Sequence, residues 1–122
     1  MNWLTHHSKS EQYASQAEVA WRQNNLAKAQ ELYRFAAEEE LLALASLTSH
    51  KKRTLGITVV SAASLWFKAN ELRQAQQVAY QWLATDLLPP FATEQLKFIL
   101  QTIWAKEMES KNQTVSQVAV FA

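Results

Sequence analysis

Residues 16–36 read QAEVAWRQNNLAKAQELYRFA, and residues 62–82 read AASLWFKANELRQAQQVAYQW, 46 positions further along the chain. Five positions are identical in the two segments, namely Ala17 and Ala63, Asn24 and Asn70, Leu26 and Leu72, Ala29 and Ala75, and Gln30 and Gln76. Small side chains let two helices cross closely, and asparagine tolerates the left-handed conformation that commonly ends a helix. Each segment is therefore predicted to be a pair of antiparallel helices joined by a tight turn.

The composition of the whole chain favours the same interpretation. Turns are built mostly from residues such as glycine and proline, and the 122 residues include only one glycine and two prolines, which favours long helices joined by short connections. Apolar residues make up 48% of the chain, enough for a packed core. The β-branched run at 54–60 has no second strand with which to share backbone hydrogen bonds. The sequence predicts one all-α domain over residues 1–122, with antiparallel hairpins at 10–47 and 52–85, a capping helix at 92–109 and an apolar C-terminal tail at 111–122.

Two local features are also predicted from the spacing of residues. Ser8 and Glu11 have the Ser-x-x-Glu spacing of a capping box at the start of the first helix. Trp66, Trp82 and Trp104 fall on the apolar stripes of their helices and are expected to be buried in the core.

The paired segments resemble the tetratricopeptide repeat, in which small residues, a tight turn and then small and aromatic residues follow one another. In the first hairpin the corresponding residues are Tyr13, Ala17, Ala20, Leu26, Ala29, Tyr33 and Ala36. The step of 46 is longer than the family's, which is about 34 residues, and asparagine stands where glycine is usual. The resemblance implies a right-handed superhelix of hairpins with a C-terminal capping helix and a concave groove lined by Glu18, Trp21, Arg22, Ser64, Phe67 and Lys68.

The predicted function follows from this architecture. An aromatic floor flanked by Arg22 and Lys68 would suit an extended or helical peptide with acidic groups, so we expect a non-catalytic adaptor or scaffold that binds a protein or peptide. One alternative is a structural homodimer or larger homo-oligomer whose aromatic faces are used in self-association. Another is a small helical regulator that binds an anionic partner or nucleic acid through Lys51, Lys52 and Arg53.

No catalytic, metal or cofactor site is predicted. The chain has no cysteine, and one glycine cannot form a glycine-rich phosphate loop. His6, His7 and His50 have no metal-sharing partners at helical spacing, and they are expected to be solvated. Glu38, Glu39 and Glu40 point about 100° apart on a helix, so a solvated face is expected there too. We therefore expect that the protein is not an enzyme.

Charge and hydropathy narrow the possible partners. A net charge of +1 makes nucleic acid an unfavoured partner. The longest uncharged central run, residues 54–67, is shorter than the roughly 20 residues of a membrane span. Residues 1–10 lack the basic start and apolar run of a signal peptide. We expect a cytoplasmic protein with no membrane segment.

Overall fold

Five α-helices make up the fold of the residues that the structure describes. The computed structural model describes residues 2–48 and 51–121, with side chains as far as Lys111. The helices are α1 (Trp3–Arg22), α2 (Leu26–Ala45), α3 (Lys52–Lys68), α4 (Leu72–Leu83) and α5 (Pro90–Phe121). No strand occurs among these residues, so the all-α prediction is confirmed.

The outer ends of α1 and α5 lie beyond the predicted limits. Asn2 is the N-cap of α1, and its side chain accepts a hydrogen bond from the Thr5 amide at 3.0 Å. The predicted capping box is therefore wrong, because Ser8 and Glu11 lie inside the helix. Helix α5 begins at Pro90, where proline is tolerated since the first helical amides have no partner in the helix. Its backbone stays helical through most of the predicted tail, whose side chains from residue 112 onward lie outside the description.

The two predicted turns have the same backbone structure. Asn24 and Asn70 adopt the left-handed conformation, with φ of 61° and 59°. The Asn25 amide donates to the Ala20 carbonyl at 2.9 Å, and the Asn24 amide donates to the Trp21 carbonyl at 3.0 Å. The amides of Glu71 and Asn70 make the equivalent bonds, each 2.9 Å long. Both helices thus end in a Schellman motif with asparagine in the left-handed position, as the repeated sequence predicts.

Alanine side chains form much of the core. Helix α1 packs on α2, α2 on α3 and α3 on α4, while α5 packs on both α3 and α4. The alanines common to the two predicted hairpins are fully buried, together with others on the same faces: Ala17, Ala29, Ala36, Ala37, Ala62, Ala63, Ala75 and Ala79. Leu26, by contrast, is exposed, although it is one of the positions that correspond to the tetratricopeptide pattern. The close crossings therefore depend on small residues, as predicted.

Gly56 lies where α3 comes close to the start of α5. A Cβ atom at this position would lie 2.7 Å from Cγ of Pro89 and 3.1 Å from Cβ of Ala92. Any larger residue would push the start of α5 away, since a proline ring cannot rotate out of the contact. The only glycine of the chain therefore fixes where α5 docks, and the β-branched residues around it are helical.

Candidate partner-binding groove and buried polar network

A concave groove of about 710 Å³ lies where the C-terminal ends of α1 and α3 meet α5. Residues from four helices and one turn line it: Glu18, Trp21, Arg22, Gln30, Tyr33, Phe67, Lys68, Asn70 and Lys106. Five of the six residues that the repeat resemblance implies are among them. The sixth, Ser64, lies in an adjoining pocket together with Phe67 and Lys68.

Aromatic rings and cations alternate in this groove. The Lys68 ammonium lies 5.7 Å from the ring centre of Tyr33, and that of Lys106 lies 5.1 Å from the ring centre of Phe67. Both distances allow a cation–π attraction. The side chain of Trp21 is 60% exposed, whereas Phe67 is half-buried against the core. The groove therefore combines an exposed apolar surface with cations fixed beside it.

Three cations and one carboxylate determine the charge of the groove. Nη2 of Arg22 lies 3.4 Å from Oε2 of Glu18, an exposed pair separated by one helical turn. Lys68 and Lys106 have no carboxylate in the groove lining other than that of Glu18. An acidic ligand would therefore meet a favourable potential here.

Tyr33 contributes a neutral hydroxyl to the same surface. Burial raises the pKa of Tyr33 above its ordinary value of 10.0; the negative charge of Glu18 raises it further, and Arg22 opposes the change. The phenol is thus protonated at neutral pH and able to donate a hydrogen bond. Neither Tyr33 nor Lys106 was predicted as a groove residue, because each comes from a helix outside the repeated α1 and α3 positions.

A second concavity, of about 400 Å³, lies between α3 and α5. Its wall is almost entirely apolar, and its lining residues are Val60, Ser64, Phe67, Lys68, Glu94, Gln95, Phe98, Ile99 and Thr102. We call it the α3–α5 pocket. It adjoins the groove, since Phe67 and Lys68 line both.

The predicted anion-binding residues lie apart from this surface. Lys51 is the N-cap residue of α3 and makes no side-chain capping bond, while Lys52 and Arg53 occupy the first turn. All three side chains are exposed. Cations at a helix N-terminus face the positive end of the helix dipole, so the local field suits an anion. The structure brings no further basic side chain into the first turn of α3.

A buried carboxylate joins α1, α2 and α3. Glu40 is 1% exposed, and His7, Ser10 and Ser61 surround its oxygens. The Ser61 hydroxyl donates to Oε2 at 2.8 Å, the Ser10 hydroxyl donates to Oε2 at 3.3 Å, and Nδ1 of His7 lies 2.9 Å from Oε1. The expectation of a solvated Glu40 and His7 is therefore wrong. Buried carboxylates need such partners to offset their loss of hydration.

The His7 ring connects this carboxylate to α3 and to solvent. Its Nε2 lies 3.0 Å from Oε1 of Glu11, and the ring stacks on Trp3 with 4.5 Å between centres. Nε1 of Trp3 in turn donates to the Thr58 hydroxyl at 3.0 Å. The start of α1 is thus fixed to α3 by polar contacts, which explains why α1 begins earlier than its weak apolar stripe predicts.

The free energy of unfolding is expected to fall as the pH rises through the range in which His7 loses its proton. Burial alone lowers the pKa of His7, but the hydrogen bond and charge of Glu40 and the charge of Glu11 outweigh it, so the pKa lies above 6.5. A raised pKa means that the charged ring stabilises the folded state fully below pH 6.5, and that this contribution is lost as pH rises through the folded pKa. Urea denaturation at several pH values measures this change. The free energy of unfolding should fall with rising pH over this range in the wild type, and it should fall less steeply in His7→Gln. Equal slopes in the two proteins would contradict the assignment.

The other candidate ligands for a metal do not converge. Nδ1 of His6 lies 2.8 Å from Oε2 of Glu39, so this pair is also partly buried and not freely solvated. His50 lies outside the described residues. Over the part of the chain that is described, no three histidine, aspartate or glutamate side chains are placed to hold one metal ion. Within that same part, no helix is both long and apolar enough to cross a bilayer.

Comparisons with models of protein families, with curated proteins and with solved structures find no match for this chain. The groove and the buried network are therefore interpreted from their own geometry and chemistry.

Proposed function

We propose that this chain is a non-catalytic adaptor that binds a partner protein by seating a peptide segment in the groove at the ends of α1 and α3. The observation that carries the proposal is the exposed Trp21 ring on a concave surface next to Arg22 and Lys68. Exposing a large ring to water forgoes about 25 cal/mol for each Å² of apolar surface, and tryptophan and arginine are enriched where partners bind most strongly. Its location in the cytoplasm stays a prediction of the sequence.

The same proposal includes a tetratricopeptide-like arrangement of the hairpins. It is supported by the two Schellman turns 46 residues apart and by the serial packing of α1 on α2, α2 on α3 and α3 on α4. A further support is that the first helix of each hairpin contributes to the groove. In this arrangement α5 is the capping helix, since it covers parts of both α3 and α4.

Self-association is a second candidate function, favoured by the surface of α5. In the part of this helix whose side chains are described, as far as Lys111, four large apolar side chains are exposed: Phe91, Phe98, Trp104 and Met108. Light scattering over a range of protein concentrations distinguishes the two candidates. A dimer whose formation is abolished by Phe98→Ser would favour self-association, whereas a monomer at all concentrations leaves the adaptor function.

Selection from a library of displayed helical peptides, on the order of 15 residues long, tests the adaptor function. Peptides selected on the wild type should bind Trp21→Ala at least about ten-fold more weakly, because the ring supplies the central apolar contact. Their affinity should also fall as salt is added, since the groove cations are exposed and easily screened. Fluorescence anisotropy with labelled peptide measures both effects.

Trp104→Ala is the matched control, because Trp104 is also partly exposed but does not line the groove. It should leave the affinity unchanged. Peptides that bind Trp21→Ala as tightly as they bind the wild type, or a selection that enriches no peptide, would refute the proposed function.

A further inference from the structure

The groove and the α3–α5 pocket adjoin each other along α5, because Phe67 and Lys68 line both, and we call the two together the channel. Gly56 approaches Ala92, and Phe67 lies under Lys106, so the two helices run side by side in the same direction. Gln95 lines the far end of the α3–α5 pocket and Lys106 lines the groove. These residues are eleven positions apart on one helix, which corresponds to about 16 Å. The channel is therefore long enough for about three turns of a bound helix.

The two halves of this channel differ in chemistry. Val60, Phe98 and Ile99 supply the apolar wall of the α3–α5 pocket, and the Phe98 ring is 69% exposed. Lys68 lies where the two halves meet, and apart from it Glu94 is the only charged residue in the pocket lining. The groove half holds Arg22, Lys68 and Lys106 against the single carboxylate of Glu18. A ligand that fits both halves must be apolar at one end and acidic at the other.

The channel also restricts the backbone conformation of its ligand. A peptide bound as a β-strand gains affinity by adding to the edge of a sheet, and the described residues contain no strand. The helices that form the walls use their own backbone groups internally. A helical ligand satisfies its own backbone hydrogen bonds and needs only side-chain contacts.

We infer that the ligand is an amphipathic helical segment with a bulky apolar side chain in the α3–α5 pocket and acidic side chains, about two turns away, facing Arg22, Lys68 and Lys106. This inference rests on the proposed adaptor function and specifies the partner of the same site. The charge complementarity of the groove half selects an acidic segment, and the volume of the pocket accommodates one large aromatic or aliphatic side chain.

The peptide most enriched on the wild type is the probe for this inference. It should carry one bulky apolar residue and acidic residues about two turns away from it. Changing the apolar residue to alanine should weaken binding at least about ten-fold. Changing each acidic residue to its amide should weaken binding about two- to five-fold and reduce the salt dependence, because exposed ion pairs contribute little individually.

Two pairs of protein variants locate the contacts. Thr102→Trp fills the α3–α5 pocket and should weaken binding about ten-fold, whereas Gln101→Trp adds the same ring at an exposed position outside the pocket lining and should not. Lys106→Glu should weaken binding of the acidic peptide, and Lys97→Glu, also exposed on α5 but outside both linings, should do so much less. Circular dichroism confirms that each variant is folded.

The outcomes separate this inference from the function on which it rests. Peptides that depend on Trp21 but bind Thr102→Trp normally, or that carry no acidic residues, would overturn the inference and leave the adaptor function in place. A wild-type dimer that Thr102→Trp converts to a monomer would also overturn it, since the occupant would then be a second copy of the chain. The inference is supported if binding is weakened by all three changes: alanine at the apolar residue of the peptide, amides at its acidic residues, and Thr102→Trp in the protein.

Discussion

Replacing Glu40 by alanine is expected to lower the free energy of unfolding by about 3–5 kcal/mol. The carboxylate is almost completely buried and interacts with His7, Ser10 and Ser61. Its removal leaves Nδ1 of the partly buried His7 ring and the hydroxyl groups of Ser10 and Ser61 without their acceptor. Since small domains are stable by only about 5–15 kcal/mol, a large part of the stability would be lost. Urea denaturation followed by circular dichroism measures the change.

Glu38→Ala is the matched control for this prediction. Glu38 is exposed on the same helix, two positions away, so its removal should change the free energy of unfolding by no more than about 0.5 kcal/mol. A double-mutant cycle adds a second check. Ser61→Ala should lower the free energy of unfolding when Glu40 is present and change it little when Glu40 is already replaced by alanine. Equal effects of Glu38→Ala and Glu40→Ala would show that the carboxylate is not buried among these partners.

The sequence predicts the helical hairpins well because their signals are local. A left-handed backbone at Asn24 and Asn70 needs only the residue type and the neighbouring helix pattern, and both turns form where expected. Alanines at the crossing points are similarly local, since a buried contact between two backbones admits few other side chains.

The polar network was not predictable in the same way. In the run Glu38–Glu40, all three residues have the same side chain, and only the rotation of α2 against α1 and α3 decides which one is buried. That rotation is fixed by the alanine contacts and by Ser10 and Ser61, whose pairing with Glu40 spans 30 and 21 positions of sequence. A paired buried carboxylate can be recognised only after the three helices are placed together.

Some residues of the candidate groove could be predicted from the sequence, and others could not. Its α1 and α3 members were predicted from the resemblance to the tetratricopeptide repeat, in which the first helices of successive hairpins line a concave groove. Tyr33 and Lys106 belong to α2 and α5, and they reach the groove only through the way these helices pack. The charge of the groove was accordingly underestimated, since Lys106 supplies one of its three cations.

Ile103→Ala is expected to lower the free energy of unfolding by about 2–5 kcal/mol, while Trp104→Ala should cost about 1 kcal/mol or less. Both residues fit an apolar stripe that contains Leu96 and Leu100, so the sequence alone could not tell which of them faces the core. In the structure Ile103 is fully buried and Trp104 is 44% exposed, which shows that the prediction of a buried Trp104 was wrong. Trp66 is buried, as expected, and Trp82 only half-buried.

The physical reason for this difference is the position of α5 against α3 and α4. Adjacent helix residues point about 100° apart, so a helix that buries Leu96, Leu100 and Ile103 must turn Trp104 toward its edge. Removing the buried Ile103 side chain leaves a cavity that the surrounding helices cannot fill completely, whereas the exposed part of Trp104 loses no such contact. Urea denaturation of both variants measures the two costs side by side. A larger cost for Trp104→Ala than for Ile103→Ala would mean that α5 is rotated by one residue, and the cation at Lys106 would then point away from the groove.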